Sequence, residues 1–369
     1  MPIKTLIVDD TVTYRKILSD VCGSFPDVEL LGSAPSGALA LKKMAQTVPN
    51  LVLLDVHMPD MNGVETLRHI RRDFPSVFVV MISGISDRSA DDTIEALELG
   101  AVDFIAKPVG NDMAVNLAKL KSNLQSVLRL IQLKMATQAM GLASGFVAAA
   151  PAIALKNTCL IPAKGPSRAG ALPRSFSVVA IGVSTGGPEA LGKILPLLPA
   201  DLSVPVVLVQ HMPASFTKSL AEHIDKKSKL RIVEASDGET IVAGKIYIAP
   251  GGRHMVLRNN VGSIQVGLND EPPENSCRPS VDVLFRSVAS VYGDKGVLSV
   301  ILTGMGNDGC SGVRALKRHS CYSITQSATT CVVYGMPRAV DEAGLCDCSL
   351  DLMDIPGQID SLVKGKGAV

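Results

Sequence analysis

The stretch VVAIGVSTGGPEAL, residues 178–191, has the pattern of a buried strand that runs through a glycine turn into a helix. The pattern G-x-S-x-G around Ser184 is typical of a nucleophile elbow, in which a sharp strand-to-helix turn exposes a serine hydroxyl. A glycine turn before a helix is also typical of a phosphate cradle, because the first amides of a helix bind anions. The lysine of a P-loop and the spacing G-x-G-x-x-G are both missing from the stretch. On this stretch alone, both interpretations stay open.

The same alternation of strands and helices extends over most of the 369-residue chain. It predicts five β-α units before residue 125 and a second series that starts at Ser177. In the second series, residues 244–260 and 262–268 are predicted to form antiparallel pieces, as a hairpin insertion. The fold class is therefore α/β, with two doubly wound, mainly parallel domains.

The two series are separated by a segment of different composition. Residues 141–175 are rich in Ala, Pro, Gly and Ser and show no sustained period. We therefore predict a first domain over residues 1–125, a linker with a helical start over 126–175, and a second domain over 176–369.

Composition excludes several classes of protein. The 36 Lys and Arg residues balance 35 Asp and Glu residues, so the net charge indicates no nucleic-acid partner. The start of the chain lacks a signal-peptide pattern, and the apolar stretch 140–155 is too short and too interrupted for membrane insertion. The eight cysteines include no CxxC pair. We expect a cytoplasmic protein with reduced thiols.

Three acidic residues of the first half stand at predicted strand ends. Asp9 and Asp10 follow the strand TLIV, and Asp55 follows LVLL. Any one of them alone is typical of a solvated loop. Because the carboxyl ends of neighbouring parallel strands share one crevice, the three together favour a site for a hard cation such as Mg²⁺.

Two further polar residues end strands of the same predicted sheet. Ser83 ends the fourth strand and Lys107 the fifth, and Pro108 after this lysine predicts a cis peptide bond that aims the amine inward. A carboxylate surrounded by a metal, a hydroxyl and an ammonium group can accept a phosphoryl group and stabilise its charge.

The blocks VDD, LLDVHMPDMNG, MIS and GAVDFIAKP appear in order over residues 3 to about 125. They resemble the receiver domain of two-component response regulators, which implies a flavodoxin-like fold and a phosphoryl group on Asp55. The resemblance also implies an aromatic switch at Phe104. Mg²⁺ would be held by Asp9, Asp10, Asp55 and the backbone carbonyl of His57, and the phosphate would be contacted by Ser83 and Lys107. One departure is His57, which stands where such regulators often carry an acidic side chain.

In the second half, two residues are candidate partners for Ser184. His211 follows the strand VPVVLVQ directly, which places it at the same sheet edge as Ser184. Asp308 comes just past another predicted strand, where an aspartate alone is more typical of a cap on the following helix. Together the three predict a Ser-His-Asp triad, in a chain order that differs from the α/β-hydrolases. The position of His254 beside a predicted hairpin favours a structural role for this histidine.

Six ordered blocks of the second half carry a second resemblance, over roughly residues 176–363: AIGVSTGGPEAL, QHMPASFTKSLAEHI, YIAPGGRHM, RPSVDVLFRSVA, ILTGMGNDG and YGMPRAV. They resemble the catalytic domain of the chemotaxis protein-glutamate methylesterase/glutamine deamidase, which implies a Rossmann-like domain. Ser184 would be the nucleophile, His211 the general base and then acid, and Asp308 the orienting carboxylate. The backbone amides of Thr185 and Met305 would bind the oxyanion, and this domain would need no cofactor.

The resemblance also implies partners and regulation. The substrate would be methyl-accepting chemotaxis receptors, the phosphodonor would be a chemotaxis histidine kinase, and phosphorylation would relieve an inhibition by the receiver. A hypothesis from another class stays open: a phospho-regulated adaptor whose residues 182–187 bind a nucleotide or phosphate, without esterase activity.

Overall fold

The structure of the chain, a computed structural model, describes residues 2–84, 86–108, 112–139 and 173–365. The chain divides into two compact units, Met1–Ala143 and Ser144–Val369. Most of the predicted linker, residues 140–172, lies outside the described residues. None of the helices in the described ranges is both long and apolar enough to cross a membrane.

The first unit contains a parallel five-stranded sheet in the order β2-β1-β3-β4-β5, which is the flavodoxin-like order that the resemblance to receiver domains implied. Val8 pairs with Leu54, so Asp9 and Asp55 follow at the same edge of two neighbouring strands. The strands are β1 (Ile3–Val8), β2 (Val28–Ala34), β3 (Leu51–Asp55), β4 (Phe78–Ser83) and β5 (Asp103–Ala106), and the helices are α1 (Val12–Gly23), α2 (Gly37–Gln46), α3 (Gly63–Asp73), α4 (Asp87–Glu98) and α5 (Met113–Ala139).

Helix α3 begins directly beside the end of β3. Its start is stabilised by a capping box, in which the Asn62 side chain accepts from the Glu65 amide and the Glu65 carboxylate accepts from the Asn62 amide. A Cβ atom on Gly63 would lie 2.2 Å from the carbonyl oxygen of Asp55. Only glycine therefore allows the helix to begin this close to Asp55.

Helix α5 extends past residue 125, where we expected the first domain to end. Its buried residues recur at helical spacing and pack in the same core as Ile7 and Leu53 of the sheet. They are Leu120, Leu124, Val127, Leu128 and Ile131. Residues up to Ile131 therefore pack as part of the first unit, because the apolar stripe of the helix continues to that point.

The second unit contains a seven-stranded sheet in the order β14-β13-β12-β6-β7-β9-β8. All of its strand pairs are parallel, and a separate antiparallel hairpin is formed by β10 and β11. The strands are β6 (Val178–Val183), β7 (Val206–Gln210), β8 (Arg231–Glu234), β9 (Lys245–Ile248), β10 (His254–Asn260), β11 (Ser263–Asn269), β12 (Val297–Ile301), β13 (Cys321–Gln326) and β14 (Cys348–Leu350). The α-helices are α6 (Gly187–Ile194), α7 (Ala214–Asp225), α8 (Val281–Tyr292), α9 (Cys310–Leu316), α10 (Met336–Glu342) and α11 (Ile355–Val363).

The hairpin prediction for residues 244–260 was wrong in one part. Residues Lys245–Ile248 form β9, which pairs in parallel with both β7 and β8 inside the main sheet. The side chains of Ile246, Tyr247 and Ile248 are fully buried. A strand buried on both faces belongs inside a parallel sheet rather than in an exposed hairpin.

Strand β6 lies at the point where the strand order of the second sheet reverses. From β6 the chain builds outward through β7, and later it returns to the other side of β6 with β12. Ile301 pairs with Gly182, and Val183 pairs with Gln210. Ligands of open α/β sheets bind in the crevice at such a switch point, which is where the glycine turn around Ser184 lies.

Candidate functional site

In the first unit, the structure brings the three predicted acidic residues together. Ligand oxygens of Asp9, Asp10 and Asp55 lie within 4.8 Å of one another. Asp9 and Asp55 are buried and Asp10 is exposed. Carboxylates in this number and spacing fit a hard divalent cation with room for water ligands.

Lys107 supplies a positive charge to this cluster. Its Nζ lies 2.9 Å from Asp9 Oδ2 and 2.9 Å from Asp55 Oδ2. Burial works to lower the pKa of Lys107, but the hydrogen bonds and charges of Asp55 and Asp9 raise it above its ordinary value. The predicted cis bond before Pro108 was wrong, since the cis peptide in the described chain precedes Pro279. The lysine nevertheless reaches both carboxylates.

Burial raises the pKa of Asp55 to about 6, although the Lys107 ammonium acts in the opposite direction. The neighbouring charges of Asp9 and Asp10 raise the pKa of Asp55 further. The crevice thus holds more negative charge than Lys107 neutralises, which favours a bound cation.

Ser83 and His57 lie at the same crevice, and their side chains connect it to helix α4. The Ser83 hydroxyl accepts a hydrogen bond from Thr93 Oγ1 at 2.7 Å. The His57 ring lies 2.8 Å from the Ser89 hydroxyl, and His57 lines a surface groove of about 540 Å³ with Asp10. Phe104 is half-buried on β5, next to β4.

In the second unit, Ser184 follows β6 and His211 follows β7. The His211 amide donates to the Val183 carbonyl at 3.2 Å, so the two residues leave adjacent strands side by side. The turn after Ser184 is tight: Gly186 has a φ of 78°. A Cβ atom on Gly304 would lie 2.8 Å from Ser184 Cβ, so the loop after β12 also approaches the serine closely.

His211 is joined to Asp308, which comes from the loop after β12. His211 Nε2 lies 2.8 Å from Asp308 Oδ2. The other ring nitrogen, Nδ1, lies 3.6 Å from the Cys277 sulfur. Among the hydrogen bonds of the described residues, none joins Ser184 to His211. Bonds of this kind are often long in unliganded enzymes and shorten when substrate binds.

The Asp308 carboxylate lies at the N-terminus of helix α8 and accepts hydrogen bonds from six groups of the described chain. They are the His211 ring, the Asn275 amide group, the Ser280 hydroxyl and the backbone amides of Val281, Asp282 and Gly309. Burial works to raise the pKa of Asp308, but the hydrogen bonds of His211 and of these amides hold the pKa at about 2. The carboxylate is therefore ionised at neutral pH.

The alternative role of Asp308, a cap on the helix that follows it, is only partly correct. Asp308 accepts from the amide of Gly309, but most of its other donors belong to the start of α8. The start of α9 is capped instead by Asp282 of α8, which accepts from the amides of Gly309 and Gly312 at 2.9 and 2.6 Å. A carboxylate from the loop before α9 thus caps α8, and a carboxylate from α8 caps α9.

The charge of Asp308 affects its partner. Burial works to lower the pKa of His211, but the hydrogen bonds with Asp308 and Cys277 outweigh it and raise the pKa to about 9. The pair thus favours an imidazolium that is held in one orientation. This is the state that a general base reaches after it has taken a proton.

The two predicted oxyanion donors follow β6 and β12, which are neighbours in the sheet. Among the backbone hydrogen bonds of the described residues, neither the Thr185 amide nor the Met305 amide donates to an acceptor. Two amides without an acceptor in the described part of the chain, at adjacent strand ends, are therefore available to donate to a ligand beside Ser184.

His254 and two residues before helix α8 make structural hydrogen bonds. The fully buried His254 ring lies 3.1 Å from the Pro272 carbonyl and accepts from the Ser280 amide. Ser280 caps α8, and Arg278 donates to the carbonyls of Asp270 and Glu271.

Sequence reasoning missed Asn275 and Cys277, which contact Asp308 and His211. The only sequence signal for them is the turn-forming pair Asn-Ser at 275–276, whose φ angles are 53° and 62°.

Comparison with known proteins gives matches to both units. The family profile described as "Response regulator receiver domain" matches residues 5–119, and the profile described as "CheB methylesterase" matches residues 179–359. The crystal structure of the Thermotoga maritima CheB methylesterase catalytic domain is 43% identical with a TM-score of 0.50, covering 51% of this chain and 100% of that chain.

Several relatives that match over nearly their full length are named protein-glutamate methylesterase/protein-glutamine glutaminase. The relative from Desulfotalea psychrophila is 40% identical over 98% of this chain and 99% of its own length. The relative from Bacillus subtilis is 39% identical over 98% of this chain and 99% of its own length. This chain therefore belongs to the protein-glutamate methylesterase/protein-glutamine glutaminase family of chemotaxis response regulators and is an ester hydrolase.

Proposed function

We propose that this chain hydrolyses glutamate γ-methyl esters, and deamidates glutamines, on the cytoplasmic region of methyl-accepting chemotaxis receptors. The observation that carries the proposal is the 2.8 Å pair of His211 and Asp308 at the strand end beside Ser184. An ionised buried carboxylate, an imidazole and a serine at one sheet edge are the parts of an acyl-transfer triad. The names of the full-length relatives support the substrate class.

In the proposed mechanism, His211 uses the nitrogen that does not face Asp308. Because Nε2 is bonded to Asp308, Nδ1 takes the proton of the Ser184 hydroxyl as the oxygen attacks the ester carbonyl. The tetrahedral oxyanion accepts hydrogen bonds from the amides of Thr185 and Met305, each worth roughly 10²–10³ in rate. The Asp308 carboxylate stabilises the imidazolium.

The intermediate then decomposes in two stages. His211 returns its proton to the leaving oxygen, methanol departs, and an acyl-enzyme on Ser184 remains. A water molecule that gives a proton to His211 attacks this ester. The bond between the acyl carbon and Ser184 Oγ breaks, His211 returns the proton to that oxygen, and the glutamate side chain is released. With a glutamine amide, the same steps release ammonia instead of methanol, so one site serves both reactions.

The first unit is proposed to regulate this reaction through phosphorylation of Asp55. A chemotaxis histidine kinase would be the phosphodonor: the N–P bond of its phosphohistidine breaks as a carboxylate oxygen of Asp55 bonds to phosphorus. Mg²⁺ held by Asp9, Asp10, Asp55 and the carbonyl of His57 would neutralise charge on the phosphoryl oxygens. Lys107 and Ser83 would contact the phosphate, and Lys107 already lies 2.9 Å from Asp55 Oδ2.

The test of this proposal is methanol release from methylated receptor, measured with and without a small phosphodonor. Ser184→Ala should reduce release by about 10⁴-fold or more with an unchanged circular dichroism spectrum. Asp55→Ala should keep basal release and lose its stimulation. Unaltered release from Ser184→Ala would exclude the triad, and stimulation that survives Asp55→Ala would exclude the receiver assignment.

A further inference from the structure

The peptide group that carries the proposed oxyanion donor, the Thr185 N–H, is fixed by hydrogen bonds to its carbonyl oxygen. Its carbonyl belongs to Ser184 and accepts two hydrogen bonds, from the Gly187 amide at 2.8 Å and from Gln210 Nε2 at 2.9 Å. In a trans peptide, the N–H points away from the carbonyl. Donors that fix the Ser184 carbonyl therefore fix the direction of the Thr185 N–H.

The second proposed oxyanion donor, Met305 N–H, is held in the same way. Its peptide carbonyl belongs to Gly304 and accepts from the amides of Gly335 and Met336 at 3.1 and 2.9 Å. Three of the four donors behind the two oxyanion amides are thus backbone groups. Gln210 is the only one of the four that donates from its side chain, so it is the donor that a substitution can remove.

The Gln210 side chain is held in place by burial and by two hydrogen bonds. It is 2% exposed, and Nε2 also lies 3.3 Å from the carbonyl of His211, so both N–H bonds of the amide group have acceptors. Its Oε1 is buried and has no hydrogen-bond partner in the described part of the chain. That oxygen lies against Gly187, where a Cβ atom would be 1.8 Å away. An unsatisfied buried oxygen destabilises the fold, so a functional reason is expected.

We propose that Gln210 is a positioning residue for catalysis: it orients and polarises the Ser184–Thr185 peptide so that the Thr185 N–H donates to the oxyanion. A donor on the carbonyl makes the N–H of the same peptide more positive, because hydrogen bonds in a chain strengthen one another. By binding the carbonyls of both Ser184 and His211, the same amide group also holds the two strand ends together. This inference rests on the proposed function.

The experiment compares two buried glutamines. Gln326 is fully buried, donates through Nε2 to the Thr330 carbonyl at 2.8 Å and accepts from the Thr303 amide at 2.9 Å. Neither of its partners is a peptide of a proposed oxyanion donor. Gln326→Met is therefore the matched control for Gln210→Met, since each variant removes one buried amide group and keeps the side-chain length. Gln210→Glu, which keeps the shape and lacks the N–H donor, is a second variant if Gln210→Met does not fold.

Methanol release from methylated receptor should show the difference. We expect kcat of Gln210→Met and of Gln210→Glu to fall about tenfold with KM unchanged, because a weakened oxyanion donor acts only in the transition state. Phenylboronic acid, which forms a tetrahedral adduct with an active serine, should inhibit these variants about tenfold less tightly than the native protein. Gln326→Met should lower the melting temperature while kcat stays within about twofold of the native value.

Two results would overturn the inference. The first is a kcat for both Gln210 variants that matches that of Gln326→Met, and the second is a loss that falls on KM with unchanged boronate inhibition. Either would give Gln210 a purely structural role while the native protein still releases methanol. Absence of methanol release from the native protein is a different outcome, because it refutes the proposed function itself and this inference with it.

Discussion

The crevices of the two units occupy the same place in the same kind of sheet, yet their aspartates titrate in opposite directions. Asp55 and Asp308 are 3% and 2% exposed, so burial is nearly equal. The pKa of Asp55 is raised to about 6 by that burial, whereas the hydrogen bonds of Asp308 overcome it and hold the pKa at about 2.

The difference lies in what surrounds each carboxylate. Asp55 shares its crevice with Asp9 and Asp10 and has the single ammonium group of Lys107. Asp308 is the only acid in hydrogen-bond contact with His211 among the described residues. It also accepts hydrogen bonds from backbone amides at the start of α8. Because burial raises the pKa of both groups, the number of hydrogen-bond donors accounts for the difference between the two pKa values. The first crevice favours a bound cation, and the second holds a permanent anion that fixes the His211 ring by a hydrogen bond.

The largest expected effect comes from removing that permanent anion. Asp308→Asn should lower kcat for methanol release by roughly 10⁴-fold, because an amide does not stabilise the imidazolium of His211. The matched control is Asp282→Asn, a buried carboxylate that caps α9 without contacting His211. It should lower stability by about 1 kcal/mol while keeping most of the activity. Equal losses of kcat would mean that Asp308 serves only the fold.

The pH dependence of the reaction follows from the same pair. Because the pKa of His211 is raised to about 9, most of the imidazole is protonated at neutral pH and unable to act as a base. We expect kcat/KM to rise almost tenfold per pH unit between pH 7 and 8, to reach half of its limit near pH 9 and to level off above that pH. A pH–rate profile with stable protein at every pH is the measurement. A profile already flat at pH 7 would contradict it.

The folded state should show the linked effect. Folding raises the pKa of His211 from 6.5 to about 9, so the folded state binds the His211 proton more tightly than the unfolded state does. The resulting contribution to the free energy of unfolding is complete below pH 6.5 and is lost as the pH rises through about 9. Urea unfolding of the native protein between pH 6 and 10 measures it. His211→Gln, which has no titrating ring, is the control and should lack this part of the pH dependence.

In the first crevice, Lys107→Met should destabilise the metal-free protein by about 2 kcal/mol, because Asp9 and Asp55 lose their shared charged donor. Added Mg²⁺ should restore more stability to the variant than to the native protein, since a cation replaces the missing charge. Thermal unfolding of both proteins with and without Mg²⁺ tests this. An equal response to Mg²⁺ would contradict the view that Lys107 and a bound cation neutralise the same acidic cluster.

The smallest expected effect is that of Cys277→Ala. The Cys277 sulfur lies 3.6 Å from His211 Nδ1, and its hydrogen bond helps to raise the pKa of His211. Removing the thiol should shift the midpoint of the pH–rate profile down by a few tenths of a pH unit. The rate at pH 8 should then increase by about twofold, because more of the imidazole is neutral. Cys22→Ala, at a buried cysteine of the first unit, is the control and should leave the midpoint unchanged. An unchanged midpoint in Cys277→Ala would show that Asp308 alone sets the pKa.

The elements that the sequence predicted well are those with long apolar runs. Every residue of strands β6, β7 and β12 is buried, and each strand is a mainly apolar run in the sequence. The end of each run, and the residues that follow it, could therefore be predicted. Strands β8 and β14 are four and three residues long and lie at the sheet edges. They are too short for a period to be recognised, and their pairing is decided by the neighbouring strands.

The amino-acid sequence by itself determined the two α/β series and which polar residues stand at strand ends, because local periodicity and glycine turns fix both. Only the tertiary structure decided how those residues interact. The six donors of Asp308 come from segments between residues 211 and 309, and Gln210 at the end of β7 donates to the Ser184 carbonyl at the end of the neighbouring strand β6. Such contacts join positions far apart in the chain, so no local pattern encodes which nitrogen of His211 faces Asp308.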